Sequence, residues 1–409
     1  LDNQSANAGC TVKDRDTGKD MIANLRHLRI LVAVATLGSV SKAARQVHVS
    51  QPAVTQALSR MESQLGVSLF DRSPRGLFLT PAGTILTNRI TRALALLDPA
   101  LADLSPRLRL TASLPQVQAV ISVTESESFS EAARRLGLAQ PTVYRAITQL
   151  ESEVGRPLFE RGARGVVALR PTRALAVAAR LALAELAQAT TELAELSGRD
   201  VGRIVVGAMP LSRACLLGPA IARFRQRRPT LRLTIIDGPF PELALGLRRG
   251  EIDLLLGALR PDDAVPDLRQ EPLFTDEMVV VARAGHPLAG ASDLSQLGGA
   301  PWVVAAEGTP SRGFFDAMFA AQKPPASLVE TGSSVLLREI LTASDHLGFT
   351  SALGVEADLS SGRLVTLPFR PAGTRRPIGL IQRADWQPTA AQSDFIAALR
   401  HAASALPKE

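Results

Sequence analysis

Residues 49–72 read VSQPAVTQALSRMESQLGVSLFDR, and residues 138–161 read LAQPTVYRAITQLESEVGRPLFER. Pro52 and Pro141 set the offset at 89, and the two blocks align without a gap. Between 43–72 and 132–161 the shared letters include Ala-Ala-Arg, Gln-Pro, Glu-Ser, Gly, Leu-Phe and a closing Arg. A block repeated in register is expected to fold the same way twice. The N-terminal half of the 409-residue chain should therefore hold two copies of one small unit.

The first copy reads as three helices and a hairpin. In LRHLRILVAVATLG, residues Leu25, Leu28, Leu31, Val32 and Ala35 share one helical face, and Gly38 ends it. Ser41 is expected to cap the next helix, KAARQV, whose alanines permit close packing. Ser50 should cap a third helix with Pro52 in its first turn, where a missing N–H costs little. Two short helices joined by a tight turn, the second rich in Gln, Ser and Thr, describe a helix-turn-helix. Beyond Gly66, LFDRSPRGLFLT reads as two short strands around residues 73–76, a wing.

SKAARQVHVSQPAVTQALSRMESQLGVSLFDRSPRGLFLTPAG resembles the N-terminal winged helix-turn-helix of LysR-type transcriptional regulators over the whole subdomain. The resemblance implies that the helix starting at Gln51 enters the major groove. It assigns DNA contacts to Gln51, Pro52, Thr55 and Gln56, with Arg72 and Arg75 on the wing. The chemistry agrees. Gln bridges adenine N6 and N7, a Thr methyl touches a thymine methyl, and wing arginines grip phosphates. In the second copy the matching residues are Gln140, Pro141, Tyr144, Arg145, Arg161 and Arg164. Thr55 has become Tyr144, Gln56 has become Arg145, and Ser50 has become Ala139, which removes a cap worth about 1 kcal/mol. LTPAG has become LRPTR at 169–173, a departure from the family pattern. The second unit is expected to contact DNA too, at a different sequence. Family members normally carry one such domain.

Charge follows the repeat unevenly. The chain carries +7, but residues 21–100 hold nine Lys/Arg and three Asp/Glu, whereas residues 101–200 hold twelve and eleven. The excess on the first copy suits a polyanion partner. No charge-free run of 18 residues suggests a membrane span. Cys10 and Cys215 make no disulfide framework and fit a cytosolic location, and five scattered histidines give no metal-ligand spacing. No cofactor is expected. The chain begins at Leu1, Met21 precedes the first periodic segment, and the polar residues 1–22 are expected to be disordered.

After Gly198 the pattern changes. GRIVVGA, LRLTII and IDLLLG read as strands alternating with the helices SRACLLGPAIARFRQRRP and ELALGLRRG, which implies a parallel sheet. A second set follows: EMVVVAR, PWVVAA, helices from about Gly313 and about Ser334, GRLVTLPF, then a strand and helix in PIGLIQRADWQPTAAQSDFIAALRHA. GPAIARFRQRRPTLRLTIIDG, LRRGEIDLLLGAL, DEMVVVARAGHPLA and LGFTSALGVE resemble phrases of the effector domain of the same family. The resemblance implies a two-lobed α/β fold of the periplasmic-binding-protein (type 2) kind. The fold class is thus two α-rich winged helix-turn-helix domains with linker helices, followed by that effector domain. The expected divisions are winged units at 23–80 and 113–170, linker helices at 81–104 and 171–198, lobe I at 201–281 plus 380–405, and lobe II at 282–379. The hinge crossings fall near Val281 and Leu380.

In open α/β sheets ligands bind beyond the carboxyl ends of strands, where helix N-termini offer free N–H groups. The candidates are Ser212, Thr309, Ser311, Arg312, Ser333 and Ser334. Hydroxyls, amides and a guanidinium suit a small organic anion such as a carboxylate. Effector binding would then change the lobe angle and the spacing of the DNA-binding heads. No G-x-S-x-G, Walker loop or G-x-G-x-x-G supports an enzyme. The competing reading is an architectural or silencing DNA-binding protein with no working pocket, which a thermal-shift screen of organic acids separates.

Each copy also has a linker helix. Ile90, Leu94, Leu97, Leu101 and Leu104 form one apolar seam, although Asp98 and Pro99 should break or kink it. Leu175, Ala179, Ala182, Leu186, Ala189, Leu193 and Leu196 form the other. In the family such helices pair two chains, so a homo-oligomer is expected. Here residues 105–113, if extended, reach about 30 Å, enough for the two heads to pair inside one chain. The alternative pairs like helices between chains.

Overall fold

A computed structural model describes residues 24–73, 76–162, 165–322, 324–325 and 327–406. The expectation for residues 1–22 lies outside them. The chain divides into two compact units at Val201 and Gly202.

In the first unit, α1 (Leu25–Leu37) starts at Asn24, whose side chain accepts from the N–H groups of Arg26 and His27, and stops at Gly38 with φ 60°. Helix α2 (Val40–Gln46) is capped by Ser39, not Ser41. Ser39 has the extended backbone a cap requires, and Ser41 falls a residue inside the helix, free to bond elsewhere. Helix α3 (Gln51–Leu65) has Ser50 as its cap and ends at Gly66 with φ 67°. Strands β1 (Phe70–Ser73) and β2 (Gly76–Leu79) form the antiparallel wing, and α4 (Pro81–Leu104) follows. Helix α4 continues through Pro99, and Asp98 binds Arg29 of α1, so the expected break does not occur. The link is not extended either, because α5 (Leu108–Thr111) coils it and buries Leu108.

The second copy repeats the order: α6 (Leu114–Ser126), α7 (Phe129–Leu136), α8 (Gln140–Val154), β3 (Phe159–Gly162), β4 (Gly165–Ala168) and α9 (Arg170–Leu196). One difference sits at the start of the linker helix. A Cβ on Gly83 would lie 2.0 Å from the Leu69 carbonyl oxygen. At the equivalent place the second copy has Thr172, whose hydroxyl donates to the Leu158 carbonyl at 2.7 Å.

Linker helices α4 and α9 make the most extensive contact between elements among the described residues. They run antiparallel: from Arg89 to Arg92 on α4, the partner carboxylate moves back from Glu192 to Glu185 on α9. A single apolar core joins both heads through them, from Leu31 and Met61 to Leu97, Leu186, Val120 and Ile147. Of the two expected seams, Leu94 is only half-buried and Leu196 is exposed. At the centre a void of about 10 Å³ gathers Leu25 with Leu114, Leu28 with Val117, Ala93 with Ala182, Leu94 with Leu183, and Leu97 with Leu186. Each pair is 89 residues apart, so an approximate twofold axis passes through this point. Off the axis the symmetry is broken. Buried Arg89 donates to Glu185 at 2.9 Å, Gln188 at 2.6 Å and Glu192 at 2.6 Å, and Arg92 reaches Glu185 at 3.1 Å.

The second unit has two five-stranded sheets. The first sheet has the order β6-β5-β7-β14-β8, from β5 (Arg203–Ala208), β6 (Arg232–Ile236), β7 (Leu254–Ala258), β8 (Leu268–Asp276) and β14 (Arg376–Arg383). Strands β5, β6 and β7 are parallel as expected, whereas β14 is antiparallel to β7 and β8. The second sheet has the order β11-β10-β12-β9-β13, from β9 (Met278–Arg283), β10 (Trp302–Val304), β11 (Leu328–Glu330), β12 (Leu347–Ser351) and β13 (Leu364–Thr366). The crossings therefore fall at Glu277 and before Arg376, not at Val281 and Leu380. Met278 already pairs with Ser351 in the second sheet, and Arg376 already pairs with Asp276 in the first.

Helix-lined edges frame the gap between the lobes. The helix expected after β5 is interrupted: α10 (Pro210–Ser212) gives way to a π turn at Arg213–Leu217, α11 (Gly218–Arg227) resumes the α-helix, and α12 (Phe240–Arg248) follows β6. Pro219 has no N–H to give to the turn before it, which favours the wider spacing there. Across the gap stand α13 (Pro310–Met318) and α14 (Ser334–Ala343), capped by Thr309 and Ser333.

Candidate DNA interface and effector cleft

Gln51, Pro52, Thr55 and Gln56 are exposed along the first turns of α3, as are Gln140, Pro141, Tyr144 and Arg145 along α8. Ser41 donates its hydroxyl to Gln51 Oε1 at 3.1 Å, and Ser130 does the same to Gln140 Oε1 at 3.1 Å. Each amide is thus held in place with its NH₂ still available, and its oxygen keeps a second lone pair. The Thr55 hydroxyl donates to the Gln51 carbonyl, which leaves its methyl for apolar contact. Tyr144 rests edge-on against Phe129, with ring centroids 5.5 Å apart, and stays 55% exposed. Arg72 lies in β1 and exposed Arg161 in β3; Arg75 and Arg164 lie outside the described residues.

The second head has a carboxylate where the first has a cation. Glu131, which replaces Lys42, pairs with Arg134 and Arg135. Those two guanidiniums, Arg135 foremost, hold its carboxyl below the usual range, so the pairing persists at neutral pH.

Between the lobes lies a cavity of about 190 Å³, below the roughly 300–1,000 Å³ of drug-sized ligand sites. Thr309, Ser311, Ser333 and Ser334 line it, and so do Met209, Phe349, Ile378 and Arg376. Two of the expected residues do not. Ser212 is fully buried within the helical turn that Pro210 begins and is not part of the cavity wall. Arg312 turns away to Asp316 at 2.7 Å and Glu330 at 2.6 Å. The cation of the cleft is Arg376, which the sequence reading missed. It donates to Ser311 Oγ at 2.8 Å and through Nε and Nη2 to Asp276 Oδ2 at 3.2 and 3.1 Å. Asp276 Oδ1 accepts from Ser351 at 2.6 Å. Because Asp276 and Arg376 belong to one sheet's lobe and Ser311 and Ser351 to the other, this chain of bonds crosses the gap. Burial pushes the Asp276 carboxyl above its ordinary value, against the pull of Ser351 and Arg376.

An open groove of about 890 Å³ adjoins the cavity, lined by Arg213, Asp237, Arg338 and Glu356 among others. Cys215 faces it, but burial and the Asp276 charge push its thiol up to about 12, so it carries no thiolate chemistry at neutral pH. Among the described residues there is no His/Cys/Asp/Glu group suited to a metal, and no helix is long and apolar enough to cross a membrane.

Comparison with known proteins gives a consistent pattern. Residues 197–404 match the LysR substrate binding domain, and residues 25–84 and 114–174 each match the bacterial regulatory helix-turn-helix protein of the lysR family. The HTH-type transcriptional regulator GalR of Pseudomonas putida is 37% identical over 387 residues, covering 93% of this chain and 97% of its own. That span takes in both copies of the repeat. The HTH-type regulator YdcI of Escherichia coli is 30% identical over 69% of this chain and 91% of its own. Among solved structures, full-length OxyR from Pseudomonas aeruginosa aligns with a TM-score of 0.52 at 23% identity, over 70% of this chain and 97% of that one. LysG from Corynebacterium glutamicum, solved with bound effector Arg, aligns at 0.53 and 18%, over 71% and 98%. At these identities the likeness shows the fold.

Proposed function

Because the chain belongs to the LysR family of DNA-binding transcriptional regulators, we propose that its substrate-binding domain senses a small organic anion, a carboxylate, held between the lobes. The observation that carries this reading is Arg376 bonded to Ser311 inside a cavity onto which the N-termini of α13 and α14 open. Asp276 offsets part of the Arg376 charge, so the helix N-termini supply the rest of the attraction for an anion. Met209, Phe349 and Ile378 offer apolar surface for the body of the molecule. Thr309, Ser311, Ser333 and Ser334 contribute hydroxyls and free amides. DNA is read by Gln51, Pro52, Thr55 and Gln56 with Arg72 and Arg75, and by Gln140, Pro141, Tyr144 and Arg145 with Arg161 and Arg164. Sequence preference comes from the helix residues, and salt-dependent affinity from the wing arginines.

A thermal-shift screen of small organic acids against the full chain tests the sensing. A true ligand raises Tm in the wild type and loses most of that shift in Arg376→Ala, whereas Arg312→Ala leaves it intact. Equal shifts in the wild type and Arg376→Ala would place the anion elsewhere.

A further inference from the structure

We propose that the seam between α4 and α9 admits only unlike partners, so that one chain supplies a complete two-headed reader of an asymmetric operator. The proposal rests on the reading of α3 and α8 as DNA readers. The twofold axis lets each possible pairing be written down, because swapping a linker helix shifts every facing residue by 89. In the observed pairing Arg89 faces Glu185, Gln188 and Glu192, and all of them find partners. In a pairing of α4 with a second α4, Arg89 would face Leu96, Pro99 and Asp103. A buried guanidinium would then lose most of its bonds. In a pairing of α9 with a second α9, the buried Glu185 and Gln188 would face Ala178 and Leu181. A buried carboxylate would have no cation.

The α4 pairing would leave Arg89 with one carboxylate, Asp103, in place of three partners, and the α9 pairing would strand Glu185 outright, whereas the unlike pairing satisfies every member; a buried charge short of partners is what makes such arrangements unstable. The opposite end of the observed seam shows the same logic. There the equivalent positions are Ala178, Leu181 and Leu96, and Asp103 remains exposed to water. Polar specificity is concentrated at one end and costs nothing at the other. Single buried polar groups that fix the pairing of helices work in this way. The consequence for DNA is a reader whose halves differ: Gln51, Thr55 and Gln56 on one side, Gln140, Tyr144 and Arg145 on the other.

The test selects bound duplexes from a random pool with the full-length chain, its Gln51→Ala variant and its Arg145→Ala variant. Both substitutions are on exposed positions. The expected wild-type consensus has two unlike half-sites about one helical turn apart. Gln51→Ala relaxes one half by roughly ten- to a hundredfold and Arg145→Ala relaxes the other. A palindrome whose two halves both relax with Gln51→Ala overturns the proposal. If neither variant changes a specific consensus, the assignment of the reading helices fails; the symmetry of that consensus then still decides the pairing, asymmetric for it and palindromic against it.

Discussion

In both heads a serine hydroxyl fixes the first glutamine of the reading helix, Ser41 to Gln51 and Ser130 to Gln140, at the same 3.1 Å. In both, a glutamate on that helix accepts from the backbone at the start of the wing, Glu62 from Leu69 and Glu151 from Leu158. Around this shared frame the two surfaces diverge. Segment 25–84 has seven basic and two acidic side chains, and segment 114–174 has eight and six. Two of the added carboxylates are paired: Glu131 ties down two arginines and Glu125 meets Arg180. The second head keeps the same frame and carries less net positive charge, so under the proposed reading its indiscriminate pull on phosphate is smaller. Its grip on DNA should depend more on Tyr144 and Arg145 and less on bulk charge.

Four tests probe that contrast, beginning with the largest effect. Arg89→Ala leaves buried Glu185 with Arg92 alone and takes the partner of Gln188 and Glu192, and should destabilise the paired heads by up to about 3–5 kcal/mol. Denaturant unfolding measures it, and the double variant Arg89→Leu with Glu185→Leu should recover much of the loss. An Arg89→Ala cost near zero would show that the seam is not held by this network. Next, Gln51→Ala should cost about 1–3 kcal/mol at the first half-site only, seen in binding isotherms on duplexes altered in one half. Equal losses at both halves would erase the distinction between the heads. Third, Ala139→Ser restores the missing cap and should stabilise the second head by about 1 kcal/mol, with Ser50→Ala giving the mirror-image loss in the first. Thermal melts of the two variants should move in opposite directions.

The smallest effect is expected from Glu131→Gln. It frees Arg134 and Arg135 and should steepen the dependence of log K on log salt by up to about one unit. An unchanged slope would mean that those arginines do not approach phosphate. The sign with pH follows the depressed carboxyl. Its pairing is present above the ordinary glutamate range and is lost only as pH falls through the lowered value, so the wild type behaves alike across neutral pH.

The repeat made the heads legible because helix caps, the Gln-Pro start and the glycine stops are local signals. Ser41 was misread for a local reason too: two serines stand two apart, and only backbone conformation tells which is the cap. The strand Leu268–Asp276 escaped because Glu271 and Pro272 interrupt its alternation, and it survives as an edge strand paired on one side by β14. In the cleft, periodicity located the helix N-termini and hence Thr309, Ser311, Ser333 and Ser334. It could not find Arg376, which stands 65 residues from Ser311 and 100 from Asp276. Nor could it show that Arg312, the nearest cation in sequence, is consumed by Asp316 and Glu330. Those facts belong to the register of two sheets, which no local pattern encodes.

The link between α4 and α6 has a consequence for how the protein is used in a cell. Ser105 to Ser113 is a short covalent tether, shortened further by the turn at Leu108–Thr111. A tether of this length holds the two heads at an effective concentration of roughly millimolar. A reader assembled from separate chains disassembles when copy number falls, and its promoter occupancy then drops with the square of the amount of protein. If the heads pair within one chain, as proposed above, they stay together on dilution. Under that proposal occupancy should follow copy number in simple proportion, so that a cell holding very few molecules, or one that has just divided, keeps its operators marked.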